Sequence, residues 1–464
     1  MVNNLELLKE HVPVKIKLNF SIAGLAHGLM SGLVFANLTF FYQNKLAADP
    51  ILISAAWLIF AFWNTINDPI ASYFIDNTRT RIGRRIPFIR YGSFFYGLAF
   101  IFCWFPISPL DSQIGLFFNF LAALFILDTM YTIVGACFFS LPNEIAVTAK
   151  QRASLSVYTT FFGFINLILG LVLPIILLTG QEGIHPLFIP TIIVIGILSS
   201  LTLFLTSFGI KENLFAQLQD HEGFIEGIKL TLKNIPFWIL MIPAFFMQII
   251  SQVTSTGLLY YIEYVNQTPI YVIITFLLGI ILGTIINLKK IVKWQPKKTG
   301  IYNLIILAAG VTGLFFFGTN PIISAIPFLL IGFGYIGIFI TNPVLMGDVI
   351  DYDELITGKR REAIYGGVNA VVTKPAISIA NSTFLGIITS FGFVINQPQS
   401  DSGLMGILIA FCLLPALLLI ISAVVLYWYP LDGTEWLKKK QNILDLHKEK
   451  EKKYLQSLSE GSRE

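Results

Sequence analysis

The chain is expected to fold as an all-α polytopic membrane protein, twelve transmembrane helices in two six-helix halves with both termini cytoplasmic. Three observations carry this expectation. Hydrophobic residues make up 55% of the chain and charged ones 12%, about half the charged share of a soluble domain. Apolar stretches of the roughly 20 helical residues that cross a bilayer recur along all 464 residues. The basic residues crowd into alternate connections between those stretches.

The spans fall near 18–43, 50–75, 88–107, 113–139, 154–181, 187–209, 236–264, 268–288, 300–319, 321–347, 364–391 and 403–429. Asn320-Pro321 is a turn signal and splits the ninth from the tenth. Residues 1–17 are polar and the first apolar run is too long for a signal h-region, so it reads as an uncleaved first span. Connections 76–87, 140–153, 210–235, 289–299 and 348–363 hold most of the lysine and arginine, whereas only Lys45 lies on the other side. The positive-inside rule then places both ends and these connections in the cytoplasm. The long polar stretch 210–235 separates an N-terminal half, 18–209, from a C-terminal half, 236–429. The lysine- and glutamate-rich tail 430–464 reads as a solvated helix or as unstructured.

A faint duplication accompanies this division. Glu144 precedes Arg152 by eight residues after the fourth span, as Asp353 precedes Arg361 after the tenth. Repeats related by an axis along the membrane normal characterise the major facilitator architecture. Cys103, Cys137 and Cys412 sit in apolar runs without pairing or metal spacing and read as packing residues. No nucleophile motif or paired histidines appear in the loops, so no enzyme and no cofactor are expected. The expected partners are a small-molecule solute and the lipid bilayer, with no nucleic acid and a monomeric chain.

Asp68 is the most informative residue, a carboxylate within the second span. Ionisable groups at such depth cost roughly 2.5–3.5 kcal/mol on insertion scales and mark ion or solute pathways. Asn64, Asn67 and Asp68 share one helix face at i, i+3, i+4, and Pro69 frees the carbonyl of Thr65. One carboxylate, two amide oxygens and a freed carbonyl suit a hard cation, and the carboxylate alone suits a proton; the coupling ion is H+ or Na+. The competing reading pairs Asp68 with a basic residue to hold spans together. In the fourth span, Asp128 and Thr132 lie one turn apart, Asp128 expected near the depth of Asn64 and Thr132 near that of Asp68. Asp128 reads either as a ligand or as a polar residue near the outer mouth.

Lys374, inside the eleventh span, requires an anionic partner: Asp68 or a solute anion. Tyr131, Phe139, Asn369, Phe339 and His27 complete the candidate solute site, His27 reading equally as a packed side chain. The seventh span adds a polar cluster at Gln248, Ser251, Gln252, Thr254, Ser255 and Thr256, while Glu263 at its outer end reads as solvated. At the cytoplasmic face Arg79, Arg84 and Arg85 oppose Glu144, Asp348, Asp351 and Asp353. With Arg361, these charges are expected to close an inner gate across the halves.

Three motifs carry a family resemblance. They are Asn67-Asp68-Pro69 through Asp76-Asn77-Thr78-Arg79 to Gly83-Arg84-Arg85 and Pro87; Gly347-Asp348-Val349-Ile350-Asp351-Tyr352 with Thr357-Gly358-Lys359-Arg360-Arg361-Glu362; and Tyr131-Thr132 with Phe139-Ser140-Leu141-Pro142 and Glu144. In this order they resemble the glycoside–pentoside–hexuronide:cation symporters, the melibiose-permease branch of the major facilitator superfamily. The resemblance implies cation-driven symport of a sugar-like solute across the cell membrane. It also implies a cation site of two carboxylates one turn apart on the second span, an asparagine between them and a threonine on the fourth. Asn67, Asp68, Thr132 and Lys374 match, but Asn64 stands where the first carboxylate would be, which leaves protons or a site rearranged around Asp128. The family's sugar-binding carboxylates fall at Gly28 and Gly135 and its arginine at Thr160. Tyr131 is kept, and Phe139 replaces a stacking tryptophan. The implied site is more apolar than a galactoside pocket, suiting another glycoside, an acidic sugar or an amphiphile such as a lysolipid. A sensor that keeps the fold without coupling is the remaining alternative.

Overall fold

The computed structural model describes residues 12–146, 149–180, 183–210, 229–358 and 361–443. Within them the regular structure is helical. Helices α1 (Val14–Phe40), α2 (Pro50–Asn77), α3 (Ile86–Phe102), α4 (Gln113–Ser140), α5 (Ala149–Leu178) and α6 (Phe188–Gly209) build the first half. The second contains α7 (Ile235–Tyr260), α8 (Pro269–Phe317), α9 (Ala325–Thr357), α10 (Glu362–Thr373), α11 (Pro375–Ser390), α12 (Asp401–Leu408) and α13 (Leu414–Tyr427). Ten helical stretches among the described residues are long and apolar enough to cross a membrane, and α3 is a shorter apolar helix.

Local chemistry sets the helix starts. Asp49 accepts from the amides of Ile51 and Leu52 at 2.7 and 3.3 Å ahead of Pro50. Ser112 and Ser400 cap α4 and α12 through the amides of Gly115 and Gly403. A short side-chain oxygen satisfies amides that have no intrahelical partner, and proline at the first position loses nothing. Two helices end in single π turns, Phe41–Lys45 after α1 and Tyr261–Val265 after α7. These are the opening helices of the two halves.

The expected connection at 289–299 is a sharp kink between two helices rather than a long loop: the helix that starts at 269 and the one that ends at 317 meet where Gln295 takes φ 67° ahead of Pro296. Asn303 Nδ2 donates to Asn287 Oδ1 at 2.8 Å, a pair that one straight helix would hold about 24 Å apart, so the second helix folds back along the first. The Lys290 ammonium lies 4.3 Å from the Trp294 ring and, across this turn, 3.6 Å from that of Tyr302. The start of the tail is also docked rather than solvated. Helical over 433–443, it buries Trp436, packs that ring on Tyr352 and pairs Lys440 with Asp348.

Helix α2 packs on α4 and, across the halves, on α11; α1 packs on α5, α6 and α7. The contact of α8 with α9 is the tightest, because small residues let the backbones touch. A Cβ on Gly332 would lie 2.2 Å from the carbonyl oxygen of Phe276, and one on Gly279 2.2 Å from that of Leu329. Gly332→Ala should therefore cost about 1–3 kcal/mol, as overpacking does, seen as a lowered thermal midpoint in detergent. Gly347→Ala, on the same helix but with open space around it, should leave the midpoint unchanged or raise it.

Candidate functional site

Pro69 and Pro375 shape the two backbones that meet at the site. Pro69 lies inside α2, and Pro375 opens α11 directly after Lys374, which forms the junction with α10. The Lys374 ammonium forms an ion pair with Asp68 Oδ1, joining the second half to the first. Thr132 Oγ1 of α4 donates to the same Asp68 oxygen at 3.0 Å, and Lys374 Nζ reaches that hydroxyl at 3.5 Å. One turn earlier, Asn64 Nδ2 donates to the Lys374 carbonyl at 3.4 Å. The Asn64 Oδ1 is buried and has no hydrogen-bond partner among the described residues.

Asp128 is buried and accepts from Asn67 Nδ2 at 2.9 Å. It is held against Asn67, on the helix face that also carries Asp68. Asn67 and Thr132 are buried too, whereas the side chains of Asp68 and Lys374 keep 28% and 18% exposure. The pair is reachable by an ion or by water, and its carboxylate sits among oxygen and amide groups within an apolar bundle.

Tyr131 connects this cluster to a second group. Its ring lies 5.9 Å from the Lys374 ammonium and stacks on His27 at 5.0 Å. His27 is buried with neither ring nitrogen hydrogen-bonded among the described residues, and Tyr96 and Phe139 close on it at 5.4 and 5.3 Å. Gly135 makes this possible, since a Cβ there would lie 3.1 Å from the imidazole. Phe339 is exposed and makes no ring contact among the described residues, and the backbone carbonyl of Asn369 accepts from Thr373 Oγ1 at 2.8 Å within α10.

Arg361 and Asp348, both expected at the inner gate, have partners within the second half. Arg361 Nε donates to Asp353 Oδ2 at 2.9 Å, and Asp348 takes Lys440. Eight residues separate Arg361 from Asp353, so a local bond forms without the first half. Arg79 is exposed, Arg84 and Asp351 are buried and Arg85 is half-buried; the side chain of Glu144 lies outside the described residues.

Bonds between the halves gather at the opposite end. Tyr260 donates to Gln43, Tyr264 to Asn44, and Gly180 N to Glu263 Oε2 at 2.6 Å. Ser54 and Ser382 share a hydrogen bond of 2.6 Å, and Gln252 Nε2 donates to the Phe35 carbonyl at 2.6 Å. Glu263, half-buried at the outer end of its span, thus also bridges the halves. Sequence reasoning missed Gln43, Asn44, Tyr260 and Tyr264; their only signal is the pairing of amides with tyrosines four residues apart at the ends of equivalent spans.

The comparisons agree with this architecture. Residues 19–433 match the family described as MFS/sugar transport protein. The isoprimeverose transporter of Lactiplantibacillus pentosus is 22% identical over 92% of this chain and 91% of its own. The putative glycoside/cation symporter YagG of Escherichia coli (strain K12) is 22% identical over 87% and 89%. Among solved structures, a D-xylose-proton symporter superposes with a TM-score of 0.65 at 12% identity, covering 89% of this chain and 97% of its own.

The pair at Asp68 and Lys374 should behave as a unit. Lys374→Met leaves a carboxylate without its cation and should lower stability by about 1–3 kcal/mol, less than a fully buried pair because both groups are partly solvated. Adding Asp68→Asn should restore most of that loss in thermal unfolding, whereas additive losses would show that the two side chains do not interact.

Proposed function

The chain belongs to the MFS/sugar transport protein family, and on that premise we propose that it couples transport of a small organic solute to a monovalent cation, H+ or Na+, by alternating access. It is a multi-pass membrane transporter and not an enzyme. The observation that carries the coupling proposal is the cross-half pair of Asp68 with Lys374. A cation arriving at Asp68 competes with the ammonium for one carboxylate. At an effective dielectric near 20, two unit charges 4 Å apart interact by about 4 kcal/mol, so an incoming ion that weakens this attraction changes the energy of the contact between the halves.

The surrounding oxygens support the same reading. Thr132 Oγ1, Asn64 Oδ1 and the Asp68 carboxylate offer hard donors of the kind sodium takes, and a proton needs only the carboxylate. The released Lys374 then faces the ring of Tyr131 and the solute route. With the outer ends joined through Gln43, Tyr260 and Glu263, solute would enter or leave from the basic, cytoplasmic end in this state. The names of relatives, an isoprimeverose transporter and a putative glycoside/cation symporter, favour a sugar-like solute.

Reconstitution into liposomes with an imposed sodium or proton gradient tests the proposal. Solute should accumulate against its own gradient under one of the two. Asp68→Asn should abolish accumulation, at least 100-fold, while the protein still folds and supports downhill exchange. Full accumulation by that variant would overturn the coupling role of Asp68. Transport by the native protein that ignores both gradients would overturn cation coupling altogether.

A further inference from the structure

The turn between the two arms of α8 carries a charge pattern that neither the ion pair nor the bonds between the halves uses. Lys289, Lys290, Lys293, Lys297 and Lys298 fall within a short stretch around Gln295, and α8 holds no aspartate or glutamate from 269 to 317. Two of these lysines are engaged by rings. The Lys290 ammonium meets Trp294 and, across the turn, Tyr302, and that of Lys297 lies 5.6 Å from the Tyr427 ring. Lys289, Lys293 and Lys298 are exposed, and none of them has a hydrogen bond or ion pair among the described residues. The tail brings Asp432 and Glu435 toward the turn, because the Gly433 amide donates to Gln295 Oε1 at 2.9 Å. Neither acid forms an ion pair with these lysines among the described residues.

The first arm shows what lies beneath the free ammonium groups. Ile281, Ile285, Leu288 and Val292 recur at helical spacing along one face, with exposures of 53 to 84%. The adjoining row is Leu282, Ile286, Lys289 and Lys293, so it changes from exposed carbon to exposed ammonium toward the turn. An apolar row this exposed on a membrane-spanning helix meets acyl chains, and basic side chains at its end reach the headgroups. Tyr427 and, just past it, Trp428 are exposed at the end of α13. Such rings favour the same interfacial level.

We propose that this edge of the second half binds an anionic phospholipid, its phosphate paired with Lys289 and Lys293 and one acyl chain laid along Leu282 and Ile286. Charge complementarity selects the headgroup. Clustered lysines beside a membrane span attract anionic lipids, whereas a zwitterionic headgroup brings them no net charge. The apolar row selects a lipid over a free phosphate, which gains nothing from carbon surface. Lys290 steadies the turn through its two rings, and so holds the backbone on which Lys289 and Lys293 stand. The site is independent of the coupling proposal.

Trp294, 37% exposed beside the turn, reports on the site. Full-length protein in detergent is titrated with phosphatidylglycerol or phosphatidylcholine brominated on the acyl chains. The Trp294 signal is the difference in emission between native protein and Trp294→Phe. Phosphatidylglycerol should quench it at a concentration at least fivefold below that needed of phosphatidylcholine, and excess glycerol 3-phosphate should leave the quenching in place. Lys289→Gln with Lys293→Gln should abolish the preference at an unchanged thermal midpoint of the lipid-free protein. Should that double variant unfold, Lys293→Gln alone should reduce the preference at least twofold. No quenching by phosphatidylglycerol, equal quenching by the two lipids, an undiminished preference in a folded glutamine variant, or displacement by glycerol 3-phosphate overturns the proposal.

Discussion

One ion pair inside an apolar bundle organises this molecule. A carboxylate or an ammonium alone at such depth costs several kcal/mol, so Asp68 and Lys374 need each other, and they come from different halves. Their neighbours follow from that need. Thr132 donates to the shared carboxylate oxygen, Asn64 donates to the Lys374 carbonyl, and Asn67 occupies the second buried acid, Asp128. A contact that is favourable only while one carboxylate meets one cation is also a contact that a mobile cation can exchange. On the coupling proposal, stability and transport draw on the same bond.

The rest of the fold lets that exchange matter. The outer ends of the halves meet through tyrosine–amide bonds on two π turns, Phe41–Lys45 and Tyr261–Val265, each ending the first helix of its half. A π turn widens the backbone ring and interrupts the regular ladder, and such turns cluster at functional sites. Toward the basic end, Arg361 with Asp353 and Lys440 with Asp348 tie the second half to itself. Bonds within a half keep it rigid as it moves, while bonds between halves choose which end is shut.

Much of this was legible in the sequence where one physical rule dominates. Apolar length and basic loops revealed the helical spans, because hydrocarbon tolerates little else. Asp68, Thr132 and Lys374 stood out because charge is scarce there, and the structure brings all three together. Legibility failed where local chemistry competed with the rule. The lysines near 289–299 mark a reversal of the chain, but it is made at Gln295 and Pro296 with helix on both sides rather than by a long loop. Arg361, expected among the gate charges, meets Asp353, which lies eight residues away in sequence. Tyr260 and Tyr264 resemble the aromatic residues found at any membrane interface, so nothing in the chain distinguished them. Ser251, Thr254 and Ser255 of the seventh-span polar cluster line a cavity, although neutral polar groups in membrane helices also bridge helices.

The central claim is that Lys374 and the coupling cation compete for Asp68. Cation affinity in the Lys374→Met protein tests it most directly, measured by sodium titration at fixed pH and by proton titration without sodium. Removing the competitor should tighten binding of one of the two ions at least tenfold. Affinities for both ions that match the native protein would contradict the account, because the lysine would then have no hold on the carboxylate that the ion uses.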